Sequence, residues 1–219
     1  MQLSLKALAT AALCGGLAVP ALAADSGFYG IGAVGVSETS RKAQADTSIA
    51  NLGITAFSST YDGRDTTYKL QGGYRFNRHV AIEGGYANLG KYTYDAASTA
   101  PLVATRHGVG KIDGWNLGVV GSLPLGAQFA VLGKLGVVGY KIDFHCDGTG
   151  IACANPNRKD SGTALTYGLG ADWNFSGNWF ARAEYDVARK VGTRFDFDGS
   201  NGTSQADVRT ASVGVGYRF

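Results

Sequence analysis

Two histidines, two cysteines and a set of regularly spaced charges are the residues of this chain whose types could do chemistry. His107 and His145 fall near Asp113, Asp143 and Ser161, the kinds of side chain that general acid–base catalysis uses. Their spacing sets no geometry, and Asp and Ser are common in polar links of any kind. His79 sits in a short Asn77-Arg78-His79 turn and is expected to be solvated. Cys146 and Cys153 lie in a Gly/Asn/Pro-rich segment. In an exported chain such a pair is expected to form a loop disulfide, with reduced thiols or a metal site as the alternatives. Lys69, Glu83, Lys134, Asp172, Arg182 and Glu184 each occupy the polar phase of a segment that alternates with apolar residues. Charges in that phase point to one sequestered face, where they can pair with one another. No Cys/His set has structural-zinc spacing, and Gly133-Lys134-Leu135-Gly136 lacks the pattern of a phosphate loop, so no metal or cofactor is expected.

The elements that must position these side chains read as strands. Between Leu165 and Phe175, residues Leu165, Tyr167, Leu169, Ala171, Trp173 and Phe175 share one face and Thr166, Gly168, Gly170, Asp172 and Asn174 the other. After Ser176-Gly177-Asn178, Trp179, Ala181, Ala183, Tyr185 and Val187 alternate with Arg182, Glu184 and Asp186; Phe180 alone breaks the polar set. A soluble sandwich would show the same alternation. Aromatics near both ends of each arm, with small or aliphatic residues between, instead mark two membrane–water interfaces.

Similar segments recur along the 219 residues. They are Gly27 to Val36, of ambiguous facing; Asp65 to Phe76; Val80 to Asn88; Ile112 to Leu123; Ala127 to Tyr140, where Leu132 and Val138 blur the inner face; and a last strand ending at Phe219. With the hairpin this makes eight strands, each long enough to cross hydrocarbon when tilted. Three tight turns alternate with four polar links, at about 37–64, 89–111, 142–162 and 189–206. Thirty-three glycines, about twice the usual ~7% share, suit the crowded wall of a small barrel.

Residues 1–23 read as an export signal, with Lys6, an apolar run from Ala7 to Val19 and a small-residue cut site after Ala23. That run is shorter than the ~20 residues of a membrane-spanning helix. A membrane location for 24–219 therefore requires a closed barrel, since lipid cannot satisfy open sheet edges. The formal charge is +3, with Lys and Arg spread rather than clustered, so nucleic acid is not indicated.

The stretches Ala81-Ile82-Glu83-Gly84-Gly85-Tyr86, Tyr167-Gly168-Leu169-Gly170-Ala171-Asp172-Trp173, Ala181-Arg182-Ala183-Glu184-Tyr185-Asp186 and the ending Val213-Gly214-Val215-Gly216-Tyr217-Arg218-Phe219 give the chain its resemblance. It resembles the OmpA-like eight-stranded outer-membrane β-barrel family, with its small-porin and surface-antigen relatives. The resemblance implies an all-β, antiparallel, up-and-down transmembrane barrel, exported to the outer membrane of a Gram-negative cell. By the same likeness Glu83 and Asp172 match acidic, and Arg182 and Lys134 basic, members of an ion-pair set inside the barrel, and Tyr217 and Phe219 resemble the signal read by the barrel-assembly machinery. No peptidoglycan-binding domain is expected after Phe219. The expected role is non-enzymatic, in envelope integrity or surface interaction through four external loops. Outer-membrane lipid and lipopolysaccharide are the expected partners of a monomer, together with host or surface ligands at the loops. A small-conductance channel is the alternative, and a lipid-modifying enzyme using His107 or His145 the second.

Overall fold

Alternation with a period of two forces each segment to present one face to lipid and the other to the lumen, and the backbone answers with continuous antiparallel ladders. The computed structural model describes residues 26–51, 53, 56–101, 103–149, 157–192 and 205–219. In chain order these form β1 (Gly27–Thr39), α1 (Lys42–Asn51), β2 (Ala56–Asp62), β3 (Arg64–Asn77), β4 (Val80–Ala100), β5 (Ala104–Leu125), β6 (Phe129–Gly148), β7 (Asn157–Ser176), β8 (Trp179–Val191) and β9 (Ala206–Arg218). The proposed signal and Cys153 lie outside the described residues.

β1 pairs with β3 on one side and β9 on the other, and the remaining ladders run β3–β4–β5–β6–β7–β8–β9. The ring therefore closes through eight strands and leaves no edge for lipid to meet. β2 stands outside that count. Among the described residues it pairs only with the outer part of β4, from Thr93 to Ala100, and it continues the line of β3 past a break at Gly63. Glycine is required there, because a Cβ would come within 1.9 Å of the Thr39 carbonyl oxygen.

On the ring's outer surface Val34, Leu70, Ile82, Leu117, Val119, Leu135, Leu169 and Val213 are exposed, forming an apolar belt. Aromatic rings bound it at both ends. Toward the short turns are Trp179 against Tyr217 at 4.9 Å, Trp173 stacked on Phe129 at 6.4 Å and Phe28 against Tyr74 at 4.9 Å; toward the long links is Tyr86 against Trp115 at 5.6 Å. The facing of the first strand, ambiguous from sequence, is settled: Tyr29, Ile31 and Ala33 are buried, whereas Phe28, Val34 and Val36 face out. The turns are as short as expected, with Gly126 and Gly177 at positive φ and Asn77 Oδ1 accepting from the backbone N–H of His79 and Val80.

The polar links differ from expectation. Much of the 89–111 link, and of the described part of the 142–162 link, is sheet, not loop. β4 and β5 stay paired from Lys91 opposite Lys111 up to Ser98 opposite Ala104, and β6 and β7 pair from Ile142 opposite Asp160 to His145 opposite Asn157. The 37–64 link contains the end of β1, then α1 and β2, and the 189–206 link the ends of β8 and β9. Beyond the belt the outward residues meet water and turn polar, so the hydropathy contrast fades while the ladder hydrogen bonds continue. Arg158, which the sequence places in an exposed loop, is accordingly half-buried in β7.

Candidate functional site

The lumen is layered. At the short-turn end Tyr29, Ile31, Ala81, Val120, Leu132 and Phe180 pack together, which explains why Leu132 and Phe180 interrupt the polar phase of their strands. Above them the inward charges converge. Asp172 and Arg182 stand opposite each other on β7 and β8, so the guanidinium grips the carboxylate with two bonds, Nε to Oδ1 at 2.6 Å and Nη2 to Oδ2 at 3.0 Å. Arg182 Nη1 also donates to Glu83 Oε1 across the lumen. Lys134 Nζ donates to Glu184 Oε1 at 2.8 Å and forms an ion pair with Glu83 Oε2 at 2.9 Å. Lys69 Nζ bridges Glu184 at 2.9 Å and Asp186 at 2.6 Å.

All six charges singled out from the sequence thus meet in one network. Three further members were not singled out: Asp186, the Tyr29 hydroxyl, which donates to Glu83 at 2.7 Å, and Arg218, 3.9 Å from Asp172. Asp186 was readable, lying two residues beyond Glu184 on the same face. Tyr29 was not, because its strand had no clear facing. Shared bidentate and bridging contacts are what buried charges need, since an unpaired ion in this setting is costly. Beside the network is a void of about 60 Å³ bordered by Lys69, Gln71, Glu83 and Thr210. That is room for a few waters at ~10–15 Å³ of probe volume each.

Outward of the charges the lumen turns apolar again, with Leu89, Ile112, Val138, Tyr140, Ile142 and Val208 in one cluster. Arg41 closes this layer, donating from Nη2 to the Val191 carbonyl at 2.7 Å while its guanidinium lies 5.2 Å from the centre of the Tyr92 ring. α1 caps the outer part of β2 and β4. Asp46 accepts there from Lys42 at 2.7 Å, Ser59 at 2.6 Å and Tyr94 at 2.8 Å. Partial burial pushes the Asp46 carboxyl up, but those three hydrogen bonds outweigh it and hold the group below the usual carboxylate range.

The histidines do not meet the partners expected from sequence. His107 Nδ1 is 2.5 Å from Asp95, and His145 is 2.6 Å from Asn157 and 3.0 Å from Asp147, all on the water-facing surface of the extended sheet. Asp143 pairs instead with Lys159 at 3.6 Å, and Asp113 and Ser161 stand opposite Lys141 in the ladders. Cys146 is buried at the outer end of β6.

A closed antiparallel ring with an apolar outer belt, two aromatic girdles and its charges turned inward is an integral membrane β-barrel. The chain belongs to the family described as the outer membrane protein beta-barrel domain, which matches residues 9–219, and its place is the outer membrane. It is 27% identical over 147 residues to "Outer membrane protein A" of Yersinia pseudotuberculosis, covering 67% of this chain and 38% of that protein. The chain thus spans well under half the length of that relative. Neisserial surface protein A matches in structure at a TM-score of 0.51 and 12% identity, covering 89% of this chain and 99% of that one. Ail of Yersinia pestis matches at 0.45 and 20% identity, covering 88% and 99%. These structural likenesses concern the fold alone.

Proposed function

We propose that this protein is a non-enzymatic, monomeric outer-membrane barrel whose sealed lumen makes it a rigid frame, and whose extended external sheet serves envelope integrity or surface interaction. The observation that carries this reading is the ion network, with every carboxylate of the set engaged by a cation and apolar layers on both sides. Eight-stranded barrels are just wide enough for their side chains. The engagement of His107 and His145 with surface carboxylates and an amide also favours a non-catalytic surface.

Purified protein in planar bilayers is expected to show no sustained single-channel steps. Steady conductance that disappears on heat unfolding would replace the sealed frame with the small-channel reading.

Three finer assignments belong to the same reading. Residues 1–23 are the export signal. Tyr217 and Phe219 form the assembly signal, supported by the exposure of Phe219 at the end of the sheet, where its backbone N–H donates to Phe28 O at 2.9 Å. Cys146 is bonded to Cys153, supported by the burial of Cys146 at the outer end of β6, seven positions before Cys153 in the chain. Alkylation without reductant is expected to leave both cysteines of the mature chain unmodified, and alkylation after reduction and unfolding to label both; free labelling of the folded, unreduced protein would overturn the pairing.

A further inference from the structure

Just beyond the belt, on the water side of the long-link girdle, the outer wall is hollowed where β3, β1, β9 and β8 run side by side. The hollow has a volume of about 490 Å³ and is floored by Val36, Thr66, Tyr185 and Ala211. Its upper border is a row of three charges in register: Arg64 opposite Glu38, and Glu38 opposite Arg209. Directly below, Val34 stands opposite Tyr68 and Val213, all exposed on the lipid-facing surface.

Within this row two guanidiniums flank a single carboxylate. Glu38 is the carboxylate between two guanidiniums, and it reaches only Arg64, at 4.0 Å. Arg209 has no carboxylate within ion-pair distance among the described residues. Asp65 and Ser37, on the opposite phase of their strands, also line the hollow and bring its formal charge to neutral; Asp65 Oδ2 accepts from the backbone N–H of Lys91 at 2.9 Å, and the Asp65 carbonyl accepts from Ser37 Oγ at 3.3 Å. Two planar forks above a shallow floor of Val36, Thr66, Ala211 and the Tyr185 ring match a phosphate carried on a larger headgroup, since guanidinium binds phosphate oxygens in pairs.

We propose that the Arg64–Arg209 hollow holds the phosphate of an acylated, phosphorylated outer-leaflet lipid, with the headgroup seated on Ala211 and Thr66 and the acyl chains running down the belt past Val34 and Val213. The position selects a lipid over a free anion. A small anion arriving from water would meet Glu38 without any gain from the floor, whereas a lipid reaches the hollow from below and adds apolar contact to its phosphate bonds. This assignment rests on the barrel standing in the outer membrane and gives the proposed envelope role a molecular contact.

Detergent-solubilised protein is titrated with bisphosphorylated lipid A, with dephosphorylated lipid A and with inorganic phosphate, and bound lipid is read by native mass spectrometry. Arg64→Gln/Arg209→Gln is expected to bind the bisphosphorylated lipid about tenfold more weakly or worse, the scale of losing hydrogen bonds to a charged group. Arg64→Lys/Arg209→Lys keeps part of that affinity, and Glu38→Gln binds more tightly than the parent. Both arginines lie on the outer surface, so heat-modifiable gel migration should be unchanged and reports folding of each variant. Unaltered affinity in the Gln pair, equal binding of the dephosphorylated lipid, or displacement by inorganic phosphate at equal concentration would each overturn the proposal. Channel activity would remove the sealed-frame reading while leaving this binding result untouched.

Discussion

Arg182→Ala is expected to lower the unfolding free energy of the barrel by about 3–5 kcal/mol, the usual consequence of removing one partner from a buried ion pair. The side chain holds Asp172 with two bonds and reaches Glu83 and Glu184, so its loss leaves carboxylates facing one another in a space closed to bulk water. Lys134 still serves Glu83 and Glu184, but Asp172 keeps only the distant Arg218. Lys159→Ala is the matched comparison. That ion pair with Asp143 is exposed and separated by 3.6 Å, and pairs of this kind contribute about 0–1 kcal/mol. Urea titration of the two variants in bilayers, followed by tryptophan emission, should show a much lower midpoint for Arg182→Ala. Equal midpoints would mean that the lumen charges are solvated and that the network is not a structural plug.

Phe180→Ala should cost a similar amount, about 3–5 kcal/mol for a buried Phe, through a different mechanism. Phe180 is 0% exposed and sits at the short-turn end of the lumen, edge-on to Tyr29 at 6.2 Å, with the Arg218 guanidinium 4.5 Å from its ring centre. Gly216 makes room for it: a Cβ at that position would lie 2.2 Å from the ring. The cavity left by alanine would also free Tyr29, which holds Glu83, so the ion network should loosen with it. Hydrogen exchange would separate the two effects. Faster exchange confined to the short-turn half of β1, β8 and β9 supports the packing account, whereas a wild-type unfolding midpoint would show that this layer does not hold the lower lumen shut.

The inward phase of Lys69, Glu83, Lys134, Asp172, Arg182 and Glu184 was legible because a strand alternates its faces over a few residues, and that alternation is local. The belt, the girdles and the short turns were legible for the same reason. The extent of the strands was not. Tyr92, Ile142 and Phe144 are buried in the lumen well beyond the belt, yet their outward neighbours Lys91, Lys111 and Asp143 are polar, and a polar stretch with no lipid-facing residues looks like a loop. Likewise Phe180 looked like an exception to its strand, when it is the floor of the lumen.

By itself the amino-acid sequence determined that this chain closes a ring of membrane strands with its charges inside, since side-chain direction follows from position along a strand. Only the tertiary structure decided which charges meet. Arg182 reaches Glu83 from strands that are not neighbours, and Arg209 stands level with Glu38 and Arg64 on the outside. Both follow from the curvature and stagger of the closed ring, which set contacts between residues far apart in the chain and leave no trace in local periodicity.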